Sequence, residues 1–544
     1  MSVPPQAPVP VPSASGIVAP TLATPPTSVP WLGLLAVLLG TFISTLNTRL
    51  SSFGLADVRG AVGAGFDEGA WITTAQTVAQ MFVTVPAVWM GATFGPRRVL
   101  MGASIAFAIV SLIAPFSPNL PTLLTMQFLG GLASGFFIPL TLSFILLNTP
   151  PRYWAFGIAI YALNLELSLN ISASLEGWYL EHHSWRWIYW QAVPLALAMS
   201  LCLRHGMAIK PITVRPPADP FGLVAGGAGL ALIYAALDQG NRLDWLNSGL
   251  VWGLLGAGSV LLVGLLVHTL RAEHPLLDLK VVFGPPLPAL FLLIAFLRLT
   301  ILSTSYLIPL YLGSVRGYRA LEVGDTLLWI AVPQLIFCPL AALMLRRSDA
   351  RMVASIGLAF VSVACLIVAY NLTPIWGSYE FLPSQLLQAL GQSFALSGII
   401  FFAVLHLRPQ DALTFGAVIQ TARLFGGQLG TAFITTLARV REQIASNLIG
   451  LHVQLGDARV AERVGRYGAL TTRVTDPAGS LGRGRVVLGA VVRSAATTQA
   501  VMDGFLAIAV LAAIALLIVV LRSAAPEGPA SPVPLFPEQR SRPP

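Results

Sequence analysis

Charge is what this 544-residue chain has least of: Asp, Glu, Lys and Arg make up 10% of it, and lysine occurs only at Lys210 and Lys280. A soluble protein has about a quarter of its residues charged, so a water-facing globular surface is excluded. Cysteine is also sparse. Cys202, Cys338 and Cys365 all lie in or beside apolar runs without metal-ligand spacing, so neither a disulfide framework nor a metal site is expected. No phosphate-cradling glycine loop, Walker-type motif or nucleophile elbow is present. ATP hydrolysis and covalent catalysis therefore lack equipment, no cofactor is called for, and an enzyme is not expected. The formal net charge of +9 comes from arginines scattered through short connections, the distribution of an orientation signal and not of a nucleic-acid-binding face. Residues 1–30 contain no charge and no basic n-region, so they read as a disordered tail and not a signal peptide.

What is present is a succession of apolar runs, each near the roughly 20 residues needed to cross a bilayer core. They predict helices near 32–54, 69–91, 98–116, 121–146, 154–178, 187–204, 221–237, 248–270, 287–312, 323–345, 351–371, 380–406, 413–437 and 501–521, an all-α polytopic membrane protein of about fourteen spans. Arg97/Arg98, Arg152, Arg204/Lys210/Arg215, Arg271/Lys280, Arg346/Arg347/Arg351, Arg408 and Arg522 fall on one side of that alternation, which the charge bias assigns to the cytoplasm, with both termini. Arg59, Arg186, Arg242, Arg316 and Arg319 fall on the other side, so the bias is not absolute.

One stretch breaks the apolar pattern. From Tyr161 to Trp178 the polar residues Asn164, Glu166, Ser168, Asn170, Ser172, Ser174 and Glu176 occupy alternate positions. Alternation alone is a strand signal, but a lone strand in lipid leaves its backbone unpaired, so a spanning helix is expected. On a helix these residues form two stripes, Asn164/Ser168/Ser172/Glu176 and Glu166/Asn170/Ser174. One is expected against a neighbouring helix and the other against a water-accessible cavity, and an ionisable residue there is a functional-site candidate.

The segments LDQGNRLDWLNSGL (Leu237 to Leu250) and EHPLLDLKVV (Glu273 to Val282) resemble the fourteen-helix drug:proton antiporters of the major facilitator superfamily, most closely the EmrB-type branch. GGLASGFFIPL (Gly130 to Leu140), SWRWIYWQAVP (Ser184 to Pro194), IPLYLGSVRGYRALEVG (Ile308 to Gly324) and QTARLFGGQLGTA (Gln420 to Ala432) agree in order. The resemblance implies a tail at 1–30, a six-helix bundle at 31–204, an inserted helix pair at 205–280, a second six-helix bundle at 281–522 with an external loop at 438–500, and a tail at 523–544. It also implies alternating access about a midplane site, powered by the proton-motive force.

Departures from the family pattern sharpen the site. In LNTRLSSFGLA (Leu46 to Ala56), Asn47 stands where the family has a membrane aspartate, and Arg49 is an added charge. Gln127 replaces the coupling arginine of the fourth span. Ser172 and Ala173 replace the glycine-proline motif of the fifth, and Glu176 falls in its glycine pair. The gating loop keeps Gly95, Arg97 and Arg98 but has Ala92 in place of an aspartate.

Asn47, Arg49, Glu166, Arg298 and Arg423 fall around the middle third of their spans, where an unpaired charge costs about 2.5–3.5 kcal/mol. Glu166 is the natural partner of Arg49. It reads as a structural ion-pair member, as a proton-coupling carboxylate, or as a ligand for a cationic substrate group. Glu176, nearer the outside, reads as solvated or as an external proton-coupling residue. Asn47, Arg49, Gln127, Asn170, Arg298 and Arg423 are the substrate-cavity candidates, and their excess of arginine favours an anionic or zwitterionic amphiphile. His182 and His183 read as solvated loop residues. The 441–500 region reads either as an amphipathic cap on the membrane or, by the resemblance, as the dock for a periplasmic membrane-fusion adaptor. The resulting expectation is a proton-coupled exporter of small amphiphilic drugs or metabolites in the bacterial inner membrane. The alternative is a non-coupled facilitator, receptor or scaffold that has kept the fold.

Overall fold

The computed structural model describes residues 30–207, 219–272, 284, 287–406, 412–453, 457–471 and 480–522. Both expected tails apart from Pro30, together with Lys210, Arg215, Lys280 and Arg408, lie outside the described residues. In chain order the helices are α1 (Trp31–Phe53), α2 (Leu55–Ala61), α3 (Phe66–Gly69), α4 (Trp71–Phe94), α5 (Pro96–Ile113), α6 (Leu120–Ser134), α7 (Phe137–Asn148), α8 (Trp154–His182), α9 (Trp187–Trp190), α10 (Ala192–Gly206), α11 (Pro220–Gly240) and α12 (Gly249–Arg271). They continue as α13 (Leu287–Thr300), a π-helical turn (Ser303–Leu307), α14 (Ile308–Ser314), α15 (Ala320–Leu345), α16 (Ala350–Asn371), α17 (Leu382–Leu405), α18 (Ala412–Gly450), α19 (Ala458–Thr471) and α20 (Ser480–Val520).

Among the described residues, twelve helices are long and apolar enough to cross a membrane. The two further expected spans differ for identifiable reasons. At 187–204 the helix divides at Gln191 into α9 and α10, because Pro194 has no N–H for the carbonyl four residues earlier. At 413–437 the chain is helical within α18, but Gln420, Arg423 and Gln428 are buried in it and lower its hydropathy. The expected helix 121–146 is interrupted at Gly135 and Phe136, again with a proline, Pro139, four residues after the break. The segment 438–500, expected as a loop, is largely helical. α18 runs on to Gly450, and α20 begins at Ser480 instead of near residue 501. Glycine permits close contact there: a Cβ on Gly484 would lie 2.1 Å from the Val464 carbonyl oxygen of α19.

Short polar caps end the helices in the connections. The Asn119 side chain accepts from Thr122 N–H at 3.1 Å to start α6, and Asp219 accepts from Gly222 N–H at 2.8 Å to start α11. Inside, polar side chains join helices where lipid offers no hydrophobic drive to do so. Gln80 of α4 donates to Ser134 Oγ of α6 at 3.0 Å and to Thr48 Oγ1 of α1 at 3.3 Å. α8 packs along both α1 and α15, α7 against α18, α16 against α17 and α20, and α11 against α4 and α12. The side at which α1 begins is called the near side below, and the opposite one the far side.

Candidate functional site

α8 is the element from which the site is built. Its first polar stripe faces α1 and the α1/α2 junction: Asn164 Nδ2 donates to the Leu38 carbonyl at 2.9 Å, and Glu176 lies beside Gly54. With the first stripe against α1, the cavity expected for one of the two would fall to the second, but that stripe also meets a helix in its far-side half. Asn170 Nδ2 donates to Gln334 Oε1 of α15 at 3.2 Å. One turn further, a Cβ on Gly324 would stand 2.5 Å from Ser174 Cα, and one on Gly177 would stand 2.6 Å from Leu321 N. Bare glycine is what lets these two backbones touch.

Glu166, one turn deeper than Asn170, is fully buried and neither of its carboxylate oxygens has a hydrogen-bond partner. It lies within Coulombic reach of Arg298, Arg423 and Arg49. The expected Glu166–Arg49 ion pair does not form: no nitrogen–oxygen approach within 4.0 Å joins them. Register explains this, since Arg49 is about 27 Å along α1 whereas Glu166 is about 18 Å along α8, measured from their near-side ends. Arg423 is buried, with Nε donating to Gln420 Oε1 at 3.0 Å. Arg298 leaves Nε and Nη1 unpartnered, and Arg49 leaves Nε unpartnered. Asn47 Oδ1, Gln127 Nε2 and Asn170 Oδ1 are likewise buried without partners. The arrangement is one carboxylate and three guanidiniums held in a low-dielectric interior with hydrogen-bonding capacity unspent.

Glu176 is 1% exposed, which removes the solvated reading, and its Oε2 has no partner. In the connection between α4 and α5, expected as a gating loop, Gly95 adopts φ +83°, a left-handed conformation that lets α4 end and α5 begin at Pro96. Arg97 Nη2 donates to the Arg204 carbonyl at the end of α10 at 2.7 Å. Arg98 instead borders an apolar groove of about 560 Å³ on the flank of α4, α5 and α6, away from Glu166. His182 and His183 are exposed and pack on Trp178, and among the described residues no group of three or more His, Cys, Asp or Glu could hold a metal.

Sequence reasoning passed over a polar ladder running from α8 into the second half of the chain. Gln334 bonds Gln392 at 3.5 Å, Gln392 donates to Gln388 at 3.2 Å and to Thr304 at 3.3 Å, and Gln388 donates to Ser303 at 3.1 Å. Ser303 and Thr304 belong to the π-helical turn, an irregularity often found at functional sites and invisible in hydropathy. The readable signal was the spacing of Gln388 and Gln392, one helical turn apart in an apolar run. Tyr161, buried with its hydroxyl unpartnered and electrostatically coupled to Arg423 and Arg298, was also missed as a site residue.

Comparison with known proteins places this geometry. The model of the Major Facilitator Superfamily matches residues 37–431. The chain belongs to the Major Facilitator Superfamily. It is therefore a multi-pass membrane transport protein and not an enzyme, and transporters of this type need no cofactor. Among curated relatives, the multidrug export protein EmrB of Haemophilus influenzae is 24% identical over 430 residues, covering 77% of this chain and 82% of that one. EmrB of Escherichia coli is 23% identical over 414 residues (75% and 80%), and the fatty acid resistance protein FarB of Neisseria gonorrhoeae is 23% identical over 420 (76% and 82%). The human organic anion transporter MFSD10 (TETRAN) shares the fold at TM-score 0.53 and 15% identity, covering 90% of this chain and 98% of that one. A bacterial homologue of the lysosomal transporter Spinster does so at 0.52 and 15%, covering 90% and 96%.

Proposed function

We propose that this member of the Major Facilitator Superfamily is a proton-coupled exporter of small amphiphilic compounds, working by alternating access in a bacterial inner membrane. Both termini and the near side then face the cytoplasm. In this reading two six-helix bundles, 31–204 and 281–522, rock about the α8–α15 and α7–α18 contacts, with 205–280 inserted between them. The observation that carries the reading is the unpartnered, fully buried Glu166 within reach of Arg49, Arg298 and Arg423. Such charges are expensive at depth and persist where they bind something.

The excess of guanidinium favours a substrate with an anionic head, and relatives at this level of similarity include one named for fatty acid resistance. A zwitterion satisfies both signs. Its anionic group takes the arginines, its cationic group replaces the proton on Glu166, and that mutual exclusion makes transport an exchange of substrate for proton. At one proton per substrate, each unit of pH gradient supports about tenfold accumulation.

The test is transport by the full chain in proteoliposomes under an imposed pH gradient. Glu166→Gln is expected to abolish gradient-driven accumulation while leaving substrate exchange at equal pH. Transport by the parent chain that ignores the gradient overturns the coupling, and favours the uncoupled facilitator that neutral Asn47 and Gln127 already suggest. Competition by cationic dyes but not by aryl or fatty carboxylates overturns the choice of head group.

The 441–500 region supports an adaptor dock better than a membrane cap. α18 and α20 are each about 60 Å long, about twice the bilayer core, so they extend beyond it. α19 packs on that projection, and Arg441 Nε pairs with Asp503 Oδ2 at 2.6 Å across it.

A further inference from the structure

α5 leaves one face uncovered between α4 and α6. The apolar groove on that flank, about 560 Å³ in volume, is lined by Gly102, Ala103 and Ala106 of α5, by Phe94 of α4, and by Leu129 and Phe136 of α6. Gly102 and Ala106 are exposed, and a Cβ on Gly102 would meet nothing within 4 Å. The glycines of α6 serve a different purpose. A Cβ on Gly131 would stand 2.2 Å from the Gln76 carbonyl oxygen, so there the missing side chain lets α4 and α6 touch. On α5 the small residues hold space open between larger apolar neighbours.

The groove has a closed end and a charged end. Inward, α5 and α6 meet, since a Cβ on Gly130 would lie 3.5 Å from Val110 Cγ1. From Val110 back to Arg98 the groove follows about 18 Å of α5, close to the roughly 15 Å of hydrocarbon in one leaflet. Arg98 stands exposed at the near-side mouth. Its neighbour Arg97 spends Nη2 on the Arg204 carbonyl at 2.7 Å and leaves Nε buried without a partner. Among the described residues, none of Arg97, Arg98 and Arg204 has a carboxylate within 4.0 Å. The chain holds no acidic residue between Glu68 and Glu166. Asp219, which opens α11 on the same side, is held by His268 at 3.0 Å and by the Gly222 N–H. A phosphate at the mouth therefore meets guanidiniums with no neighbouring anion to repel it.

We propose that this groove is a binding site for one anionic phospholipid of the near-side leaflet, with an acyl chain lying over Gly102 and Ala106 and the phosphate held by Arg98. The planar guanidinium matches two phosphate oxygens at once, and the field of Arg97 and Arg204 adds to it. That unopposed field selects the anionic head, because a zwitterionic one brings its own cation against the arginines. The acyl chain fills the space that the small residues of α5 leave, and Val110 sets how deep it reaches. The site is separate from Glu166 and stands whether or not transport is coupled to protons.

The probe is dioleoyl phosphatidylglycerol, with dioleoyl phosphatidylcholine as the chain-matched control, titrated against the full chain in detergent and read by native mass spectrometry as lipids retained per chain. The parent is expected to retain one phosphatidylglycerol with about fivefold or greater preference over phosphatidylcholine, and Arg98→Gln is expected to remove about that factor while leaving phosphatidylcholine unchanged. Gly102→Leu puts its side chain into the open space and is expected to weaken retention of both lipids, and Ala106→Leu does the same should the first variant misfold. Equal retention of the two lipids by the parent, or a preference that survives in Arg98→Gln, overturns the anionic head group at Arg98. Phosphatidylglycerol retained unchanged by folded Gly102→Leu and Ala106→Leu overturns the groove as its place. A dimer of the chain that these leucines break, in place of a retained lipid, makes a second copy the occupant and overturns the lipid.

Discussion

Gly324→Ala tests whether the far side is closed by direct backbone contact between α8 and α15. The added methyl would lie 2.5 Å from Ser174 Cα and N, and ordinary contact begins at 3.4 Å, so the two helices must part locally by about 0.9 Å. Ser174 presents backbone there, which cannot turn aside as a flexible side chain would. Overpacking of this kind costs about 1–3 kcal/mol. If the cost falls on the far-closed conformation alone, the balance between far-open and far-closed states moves about 5–150-fold towards open. Spin labels on the exposed far-side positions Glu181→Cys and Arg316→Cys report that balance as a distance distribution. A shift of population to longer distances is expected for Gly324→Ala and none for Gly427→Ala, whose Cβ would meet nothing within 4 Å. Identical distributions in the parent and in Gly324→Ala would refute the argument.

Two further predictions concern the near-side connections and the projecting helices. Asp349 caps α16 by accepting from Arg351 N–H at 2.9 Å. Partial burial pushes its carboxyl up, but the hydrogen bonds and charge of Arg351 outweigh this and hold it below its ordinary value of 3.8. Its contribution is therefore complete above pH 3.8 and is lost as pH falls through the lowered folded value. Asp349→Ala is expected to cost about 1 kcal/mol at neutral pH, with the gap to the parent closing in acid, as read by thermal unfolding in detergent. Deleting 445–495 is expected to abolish capture of a periplasmic adaptor in a pull-down while leaving the membrane-embedded part folded, and capture that survives the deletion counts against the dock.

Much of the fold was legible because the membrane imposes it. With no water in the bilayer core each backbone must satisfy itself, so an apolar run of sufficient length and scarce charge reads directly as a helix. That logic found twelve of the expected spans among the described residues, and it singled out α8. It missed the places where a proline divides a helix, as Pro194 and Pro139 do. It also missed that the segment expected as a loop at 438–500 continues as helix, with α18 running on to Gly450 and α20 beginning at Ser480.

By itself the sequence determined that Glu166, Arg49, Arg298 and Arg423 are charges set in apolar helices, because burial depth follows from position along a span. Which charges meet is a matter of register between helices, and only the tertiary structure decided that. The offset between α1 and α8 keeps Arg49 from pairing with Glu166, bare glycine at Gly177 and Gly324 turns an expected cavity wall into a helix contact, and α11 brings Asp238 to Thr74 across 164 residues of chain. Side-chain spacing is periodic and readable along one helix, whereas the distance between two helices is set by how closely their backbones can pack.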